Sequence, residues 1–206
     1  MKKILLTSAA VLAISGSAFA EMDQFYLRAD ANVAKFAELK SDGDKYKTKF
    51  NNFGLDFGVG TNLMDNMRAE LVYNHVFATK AKHTEGTFTA KMKPQASALM
   101  LRGLVDIADM GMGKPYFGAG FGWAKAGAKE TNSNNGSFKA KARNNFAYSV
   151  HAGFGFDVAD GVKADLGYSY RDYGKTRDFK DGSTSLKNTA VSLRSHNLSA
   201  GVRFDI

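Results

Sequence analysis

The most constraining feature of this sequence is a strictly alternating stretch at its carboxyl end, residues 196–206. Apolar residues occupy every second position from Leu198 to Ile206, with serine, glycine, arginine and aspartate between them. Successive side chains of a strand point to opposite faces, so this stretch predicts a strand with one apolar face. Such a strand needs a partner for its backbone groups, and a closed barrel supplies one by pairing the last strand with the first. Residues 23–35 alternate in the same way and are the expected first strand.

The first twenty residues have the features of a signal peptide. Two lysines precede an apolar run, and a segment of mostly small residues ends at Ala20. The run is far shorter than the roughly 20 residues that a membrane-spanning helix requires. We therefore expect cleavage between Ala20 and Glu21, so that residues 1–20 are the signal peptide and residues 21–206 form the barrel domain. The sequence has no cysteine, so the exported domain would not depend on disulfides.

Counting period-two alternation gives eight candidate strands. They are residues 23–35, 50–61, 67–78, 95–106, 114–125, 145–158, 161–173 and 189–206. Short turns, one of them the tight-turn pair Asp160-Gly161, alternate with long polar loops. The long loops are residues 35–49, 79–94, 125–143 and 174–188. This layout is typical of transmembrane barrels. The prediction is an all-β fold, an eight-stranded antiparallel up-and-down transmembrane beta-barrel.

The sidedness of the strands favours a membrane barrel over a soluble lipocalin-type barrel, which keeps its apolar residues inside. In the strand at 114–125, Phe117, Phe121 and Trp123 share one face, and glycines occupy the other. The aromatic residues are too numerous to fit inside eight strands, so they are expected to face lipid. Alternate inner glycines would leave room for large side chains of neighbouring strands. The glycines also have a faint likeness to a phosphate-binding loop, but such a loop opens a helix and this segment has period two.

Charged residues of both signs fall on the expected inner face. They are Arg28, Asp30, Asp56, Arg68, Glu70, Arg102, Asp157, Lys163, Asp165, Arg171, Arg203 and Asp205. An isolated buried charge is costly, so these residues should pair with one another and fill the barrel as an ion-paired plug. A small ion or proton path through the barrel is the alternative.

No catalytic constellation is visible, and no cofactor or metal is expected. Ser149 and His151 share a face, but the register places that face inside the barrel, and no acid completes a catalytic trio. His75, His83 and His196 have neither a same-face serine two residues away nor a cluster with metal-ligand spacing. The expectation is therefore scattered structural histidines in a protein that is not an enzyme.

Three segments carry a resemblance to a known family. They are residues 114–122, 165–174 and 195–204, which read KPYFGAGFG, DLGYSYRDYG and SHNLSAGVRF. They are similar to strands of the small outer-membrane barrel family, which includes opacity-type surface antigens and rickettsial-type small adhesins. The resemblance implies an eight-stranded barrel in the bacterial outer membrane. It also implies insertion by the barrel-assembly machinery, which recognises the C-terminal strand.

Basic residues are concentrated in the long loops. Those expected to bind a ligand are Lys80, Lys82, Lys91, Lys93, Lys139, Lys141 and Arg143. A crown of cations attracts anionic partners, and salt weakens the attraction. Three partners fit: lipopolysaccharide phosphates, sulfated host glycans and acidic patches on host surface or serum proteins. Nucleic acid is not expected at this location.

Two functions are open at this stage. The first is a surface adhesin that binds host ligands through its basic loops, which the resemblance and the charge distribution support. The second is a structural or porin-like envelope protein whose loops are merely solvated and have no dedicated ligand.

Overall fold

The computed structural model describes residues 25–37, 39–41, 44–46, 52–77, 81–85, 88–107, 110–132, 137–181, 184–185 and 190–206. Eight long strands are present in this part of the chain. They are β1 (Phe25–Phe36), β2 (Asn52–Met64), β3 (Met67–Val76), β4 (Phe88–Asp106), β5 (Lys114–Asn132), β6 (Ser137–Ala159), β7 (Val162–Lys175) and β8 (Ser192–Asp205). The expected signal peptide, with its cleavage site between Ala20 and Glu21, lies outside the described residues.

The eight strands form a closed antiparallel barrel. Each long strand pairs with the next one along the chain, and β8 pairs back to β1 from Tyr26↔Asp205 to Phe36↔Ser195. The backbone N–H of Ile206 donates to the carbonyl of Phe25 at 2.8 Å, which extends this closure to the last residue. The predicted eight-stranded, up-and-down architecture is therefore confirmed.

The two faces of the barrel wall differ as the alternation predicts. On the outer face, Phe117, Phe121 and Phe204 are 53%, 52% and 46% exposed. On the inner face, Arg28 and Arg203 are each only 6% exposed. Apolar residues therefore cover the outside of the cylinder and charged residues lie within it, the reverse of a soluble barrel.

Inner-face glycines accommodate large side chains from neighbouring strands, as expected. A Cβ atom at Gly60 would collide with the ring of Tyr26, and one at Gly153 would collide with the ring of Tyr116. Gly103, whose Cα faces outward, has nothing within 4 Å of such an atom. The inner glycines therefore provide the space in which two tyrosine rings lie across a narrow lumen.

The turns at one end of the barrel, which we call the turn end, are short. β2 and β3 are joined by Asp65 and Asn66 alone, and β6 and β7 by Asp160 and Gly161. Gly161 has a φ of 70°, a left-handed conformation that favours glycine. The opposite end, which we call the loop end, carries the long connections. Short strand pairs occur there too, one between Leu39–Ser41 and Asp44–Tyr46.

The expected loops at 79–94 and 125–143 were largely wrong, because β4, β5 and β6 continue through much of them. These strands have 19, 19 and 23 residues, whereas about 9–11 cross a membrane. Two short strands, Ala81–Glu85 and Phe179–Asp181, pair with β4 and β6. We call the resulting sheet, formed by residues 88–97, 125–132 and 137–144 with these two short strands, the sheet extension.

The reason for this error is visible in the sequence. Lysines alternate with small or apolar residues in Ala90-Lys91-Met92-Lys93 and Lys139-Ala140-Lys141-Ala142. This is a period-two strand pattern whose small residues make it look like a polar loop.

The described residues contain no helix with the length and hydropathy of a transmembrane segment.

Candidate functional site

The turn-end half of the lumen contains a network of buried ion pairs, and one of its centres is Glu70. The Arg28 guanidinium donates to both carboxylate oxygens of Glu70 at 2.7 Å. The same guanidinium forms a bidentate pair with Asp30, from Nε at 2.9 Å and from Nη2 at 2.7 Å. The hydroxyl of Tyr26 donates to Glu70 at 2.8 Å. Bidentate pairing and added hydrogen bonds compensate the cost of burying these charges.

Asp56 is the second centre and lies deeper in the barrel. Arg171 donates to its two oxygens from Nη1 at 3.0 Å and from Nη2 at 2.6 Å. Arg102 adds a hydrogen bond from Nη2 at 3.0 Å, and the amide of Asn32 adds another at 3.1 Å. A single carboxylate on β2 therefore joins side chains from β1, β4 and β7 across the lumen.

Two further pairs complete the network near the turn end. Arg203 donates to Asp165 from Nε at 2.6 Å and from Nη2 at 3.1 Å. Arg68 donates to Asp106 from Nη1 at 3.1 Å and lies over the ring of Tyr116, 4.7 Å from its centroid. All nine residues of the expected lumen network are buried and take part in these contacts. They are Arg28, Asp30, Asp56, Arg68, Glu70, Arg102, Asp165, Arg171 and Arg203.

Three other charges expected inside the barrel lie instead at its turn-end rim. Asp157 has 65% of its side chain exposed, so the expectation of a buried position was wrong. Lys163 Nζ lies 3.0 Å from Asp205 Oδ2 and 4.0 Å from Asp157 Oδ1. These residues line a cavity of about 680 Å³ that also includes Arg68. The alternation assigns their face correctly, but β6 and β8 end here, so no wall covers the side chains.

The loop-end half of the lumen contains a buried apolar cluster beside the polar side chains of Asn52, Ser195 and Asn197, which the sequence analysis did not anticipate. Its core is a cluster of buried alanines and larger side chains. The members are Ala34, Phe36, Val76, Ala96, Ala98, Met100, Ala124, Ala126, Ala128, Ala140, Ala147, Tyr173, Val191 and Leu193. The sequence pattern that indicates this cluster is the alternation of alanines with lysines. This cluster covers the ion-pair network on the loop-end side.

The serine and histidine that share a face are inside the barrel, as the register indicates. His151 Nε2 lies 2.8 Å from Ser149 Oγ, and Ser149 is only 1% exposed. The outward-facing His196 is hydrogen-bonded through Nδ1 to the Tyr168 hydroxyl at 2.7 Å. His75 packs edge-on against Phe77. Among the described residues, no three His, Cys, Asp or Glu side chains are grouped to hold a metal ion.

The loop-end edge of the apolar outer wall is sharply defined on β4, β5 and β6. Leu99, Trp123 and Phe146 lie opposite one another in the strand register, and all three are exposed on the outer face. The next outward row toward the loop end consists of Ser97, Lys125 and Asn144. The change from aromatic to polar within one row is typical of the aromatic girdle at a membrane interface.

Six of the seven expected ligand-binding residues lie on strands beyond this edge. Lys93 and Arg143 are exposed on β4 and β6. Lys82, Lys91, Lys139 and Lys141 lie on strands of the sheet extension, and their side chains are outside the description, as is the whole of Lys80. The backbone register places Lys82 opposite Lys91.

The register also assembles a row of lysines that the sequence does not reveal. Lys93 lies opposite Lys129, Lys129 opposite Lys139, and Lys139 opposite Lys180. We call these four residues the lysine row. Lys129 and Lys180 were not among the expected binding residues. Like charges directly opposite one another in a sheet are destabilising, by about 0.2–1 kcal/mol for a pair.

Comparison with known proteins agrees with this architecture. Residues 6–204 match the model of the outer membrane protein beta-barrel domain family. The chain is 34% identical over 251 aligned positions to "Putative adhesin RC1281" of Rickettsia conorii, and 36% identical over 227 positions to a "Putative adhesin" of Rickettsia felis; both alignments cover all of each chain.

Two solved structures show the same fold. Neisserial surface protein A superposes with a TM-score of 0.57 at 23% identity, covering 87% of this chain and 96% of its own. OprG of Pseudomonas aeruginosa superposes with a TM-score of 0.55 at 16% identity, covering 89% of this chain and 96% of its own. With its apolar outer wall and closed strand order, this chain belongs to the outer membrane protein beta-barrel domain family and is an integral protein of the bacterial outer membrane.

Proposed function

We propose that this barrel is a surface adhesin that binds anionic host ligands through the sheet extension. The observation that carries the proposal is the exposed basic surface of that extension, where Lys93 and Lys129 on the outer face, together with the exposed Arg143, lie beyond the aromatic girdle. The names of the rickettsial relatives support it. Host surface proteins, serum proteins and sulfated glycans all present the negative charge that such a surface attracts.

Binding of the purified, refolded barrel to cultured host cells tests this function. The double variant Lys93→Glu with Arg143→Glu should bind about tenfold more weakly or worse, because its attraction to anionic groups is reversed. Lys93→Arg with Arg143→Lys conserves the charge and should bind like the original protein. Equal binding by all three proteins, or no binding by the original one, would reject the adhesin function.

In this proposal the barrel is a closed anchor. Ion pairs fill the turn-end half of the lumen and the alanine cluster lies in the loop-end half, which supports the interpretation of a closed plug. Planar-bilayer recording of the refolded protein should therefore give no steady ohmic steps. Regular steps would favour the alternative of a porin-like envelope protein.

The rigid, ion-paired barrel also suits a purely structural role in the envelope. Deletion of the gene followed by a detergent-sensitivity assay addresses that alternative. A sensitised envelope with unchanged host-cell binding would favour the structural role.

We propose no catalytic activity for the barrel. Ser149 and His151 are enclosed by the wall, where neither lipid nor a soluble substrate reaches the serine hydroxyl. Co-expression in a host bacterium should leave the mass of lipid A unchanged, and a new lipid A species would contradict this.

The path to the membrane is part of the same proposal. The chain would be exported by a signal peptide cleaved between Ala20 and Glu21, and inserted by the barrel-assembly machinery through β8. Lipopolysaccharide would then surround its outer half. Amino-terminal sequencing of the mature protein should begin at Glu21.

A further inference from the structure

The lysine row is unexplained by the stability of the fold. Its four members lie opposite one another across β4, β5, β6 and the strand Phe179–Asp181. The positions two residues away on β4 and β5 hold Lys91, Gln95, Gly127 and Thr131, so no carboxylate flanks the row on these strands. Beside the fourth strand, Asp178 lies two residues from Lys180. Within the described side chains, Lys93 and Lys129 are exposed and have no acidic partner on their face. An anion that lies on such a row would offset the repulsion between the lysines.

The height of the row separates it from the phosphates of the lipid headgroup layer. Lys129 lies six residues beyond Trp123 of the aromatic girdle, about 20 Å along the strand. With the tilt of a membrane-barrel strand, this is about 15 Å above the girdle. The headgroup layer is only about 5–8 Å thick on each side of a bilayer. Lys125 is therefore at the level of lipid phosphates, whereas the lysine row stands above them.

The direction of the row indicates the shape of the ligand. Neighbouring strands are about 4.8 Å apart, so four lysines on successive strands span about 14 Å perpendicular to the strands. One phosphate or carboxylate cannot contact all four. A linear polymer with an anionic group on successive units can.

We propose that the lysine row binds a linear sulfated or carboxylated polysaccharide that lies across the strands of the sheet extension. This inference rests on the proposed adhesin function and names its ligand class. The backbone register places the four lysines on neighbouring strands, so recognition would depend on the length and charge of the polymer. Lys125, at the level of the headgroups, lies outside this site.

The test measures the affinity of heparin fragments for the refolded barrel in vesicles of zwitterionic phosphatidylcholine. Lys93→Glu with Lys129→Glu should weaken binding at least tenfold. The matched control, Lys125→Glu with Lys175→Glu, makes the same change in net charge at the loop end but outside the row, and should weaken binding by less than threefold. Equal losses in the two variants would overturn the proposal, since binding would then depend on net charge alone. A heat-modifiable gel shift verifies that both variants are folded.

Fragment length provides a second measurement. A fragment long enough to span about 14 Å should bind at least tenfold more tightly than a disaccharide, because it reaches all four strands. Equal affinities would contradict binding across the row.

Repeating the assay in vesicles that contain an anionic lipid distinguishes a lipid headgroup from a polysaccharide as the ligand. If Lys93→Glu with Lys129→Glu abolishes enrichment of that lipid around the barrel and leaves heparin binding intact, the ligand is a headgroup and the proposal fails. The adhesin function is judged separately by host-cell binding. If excess heparin does not inhibit cell binding, the proposed polysaccharide ligand is rejected and the adhesin function is retained.

Discussion

The charges inside the barrel and the charges on the sheet extension follow opposite rules. In the lumen, each arginine of the network has a carboxylate oxygen within about 3 Å. On the extension, Lys93 and Lys129 lie directly opposite one another and are exposed to solvent. Charges in a dry interior must stay paired, because removal of one partner leaves a costly uncompensated charge. Unpaired like charges on a wet surface reduce stability and remain available to a partner, so the difference separates the architectural charges of the molecule from its binding charges.

Removing Asp56, the second centre of the lumen network, should have the largest effect on stability. Asp56→Ala leaves the guanidinium groups of Arg171 and Arg102 buried without their carboxylate. Breaking a buried pair in this way costs about 3–5 kcal/mol. Urea unfolding of the barrel in lipid vesicles should show this loss. Asp65→Ala, in the exposed turn between β2 and β3, is the control and should change stability by less than about 0.5 kcal/mol. Equal stability of the two variants would mean that the lumen charges are not architectural.

Overpacking the same half of the lumen should have a smaller effect. Gly60→Val places a side chain where the ring of Tyr26 lies, so the hydroxyl that donates to Glu70 must move. Such strain costs about 1–3 kcal/mol. Gly103→Val is the matched control, because nothing lies within 4 Å of its Cβ position on the outer face. If both substitutions change the urea midpoint alike, the glycine has no steric role and the effect belongs to strand propensity.

The sequence predicts the architectural charges well because a single rule governs them. Period-two alternation assigns Arg28, Asp165 and Arg203 to the inside, and the cost of burying a charge requires that they pair. It does not indicate which carboxylate pairs with which arginine. Asp56 and Arg171 are far apart in the chain and meet only because the barrel closes.

The binding charges are less predictable because they depend on register. Lys93, Lys129 and Lys139 stand on three strands joined by connections of different length, and no pattern within one strand shows that they are opposite one another. The ends of these strands were also missed, since alanine alternating with lysine looks like a polar loop. The same alanines belong to the buried apolar cluster of the lumen, so one unrecognised pattern conceals both features.

The smallest expected effect on stability is a gain, whereas the two substitutions above reduce stability. Lys129→Glu places a carboxylate opposite Lys93 on β4 and opposite Lys139 on β6. Replacing repulsion by attraction should stabilise the barrel by about 0.2–1 kcal/mol, while it weakens binding of anionic ligands.

Lys125→Glu is the control for this gain, because its cross-strand neighbours are Ser97 and Asn144 and no repulsion is relieved. The double variant Lys93→Glu with Lys129→Glu restores like charges between β4 and β5, so much of the gain should disappear in a double-mutant cycle. The cycle is measured by urea unfolding at low salt, and about 1 M salt should reduce its coupling energy because the Debye length falls to about 3 Å. A coupling energy of zero at low salt would mean that the lysines do not repel one another across the sheet. The unpaired charge would then carry no stability cost, and the contrast between architectural and binding charges would rest on burial alone.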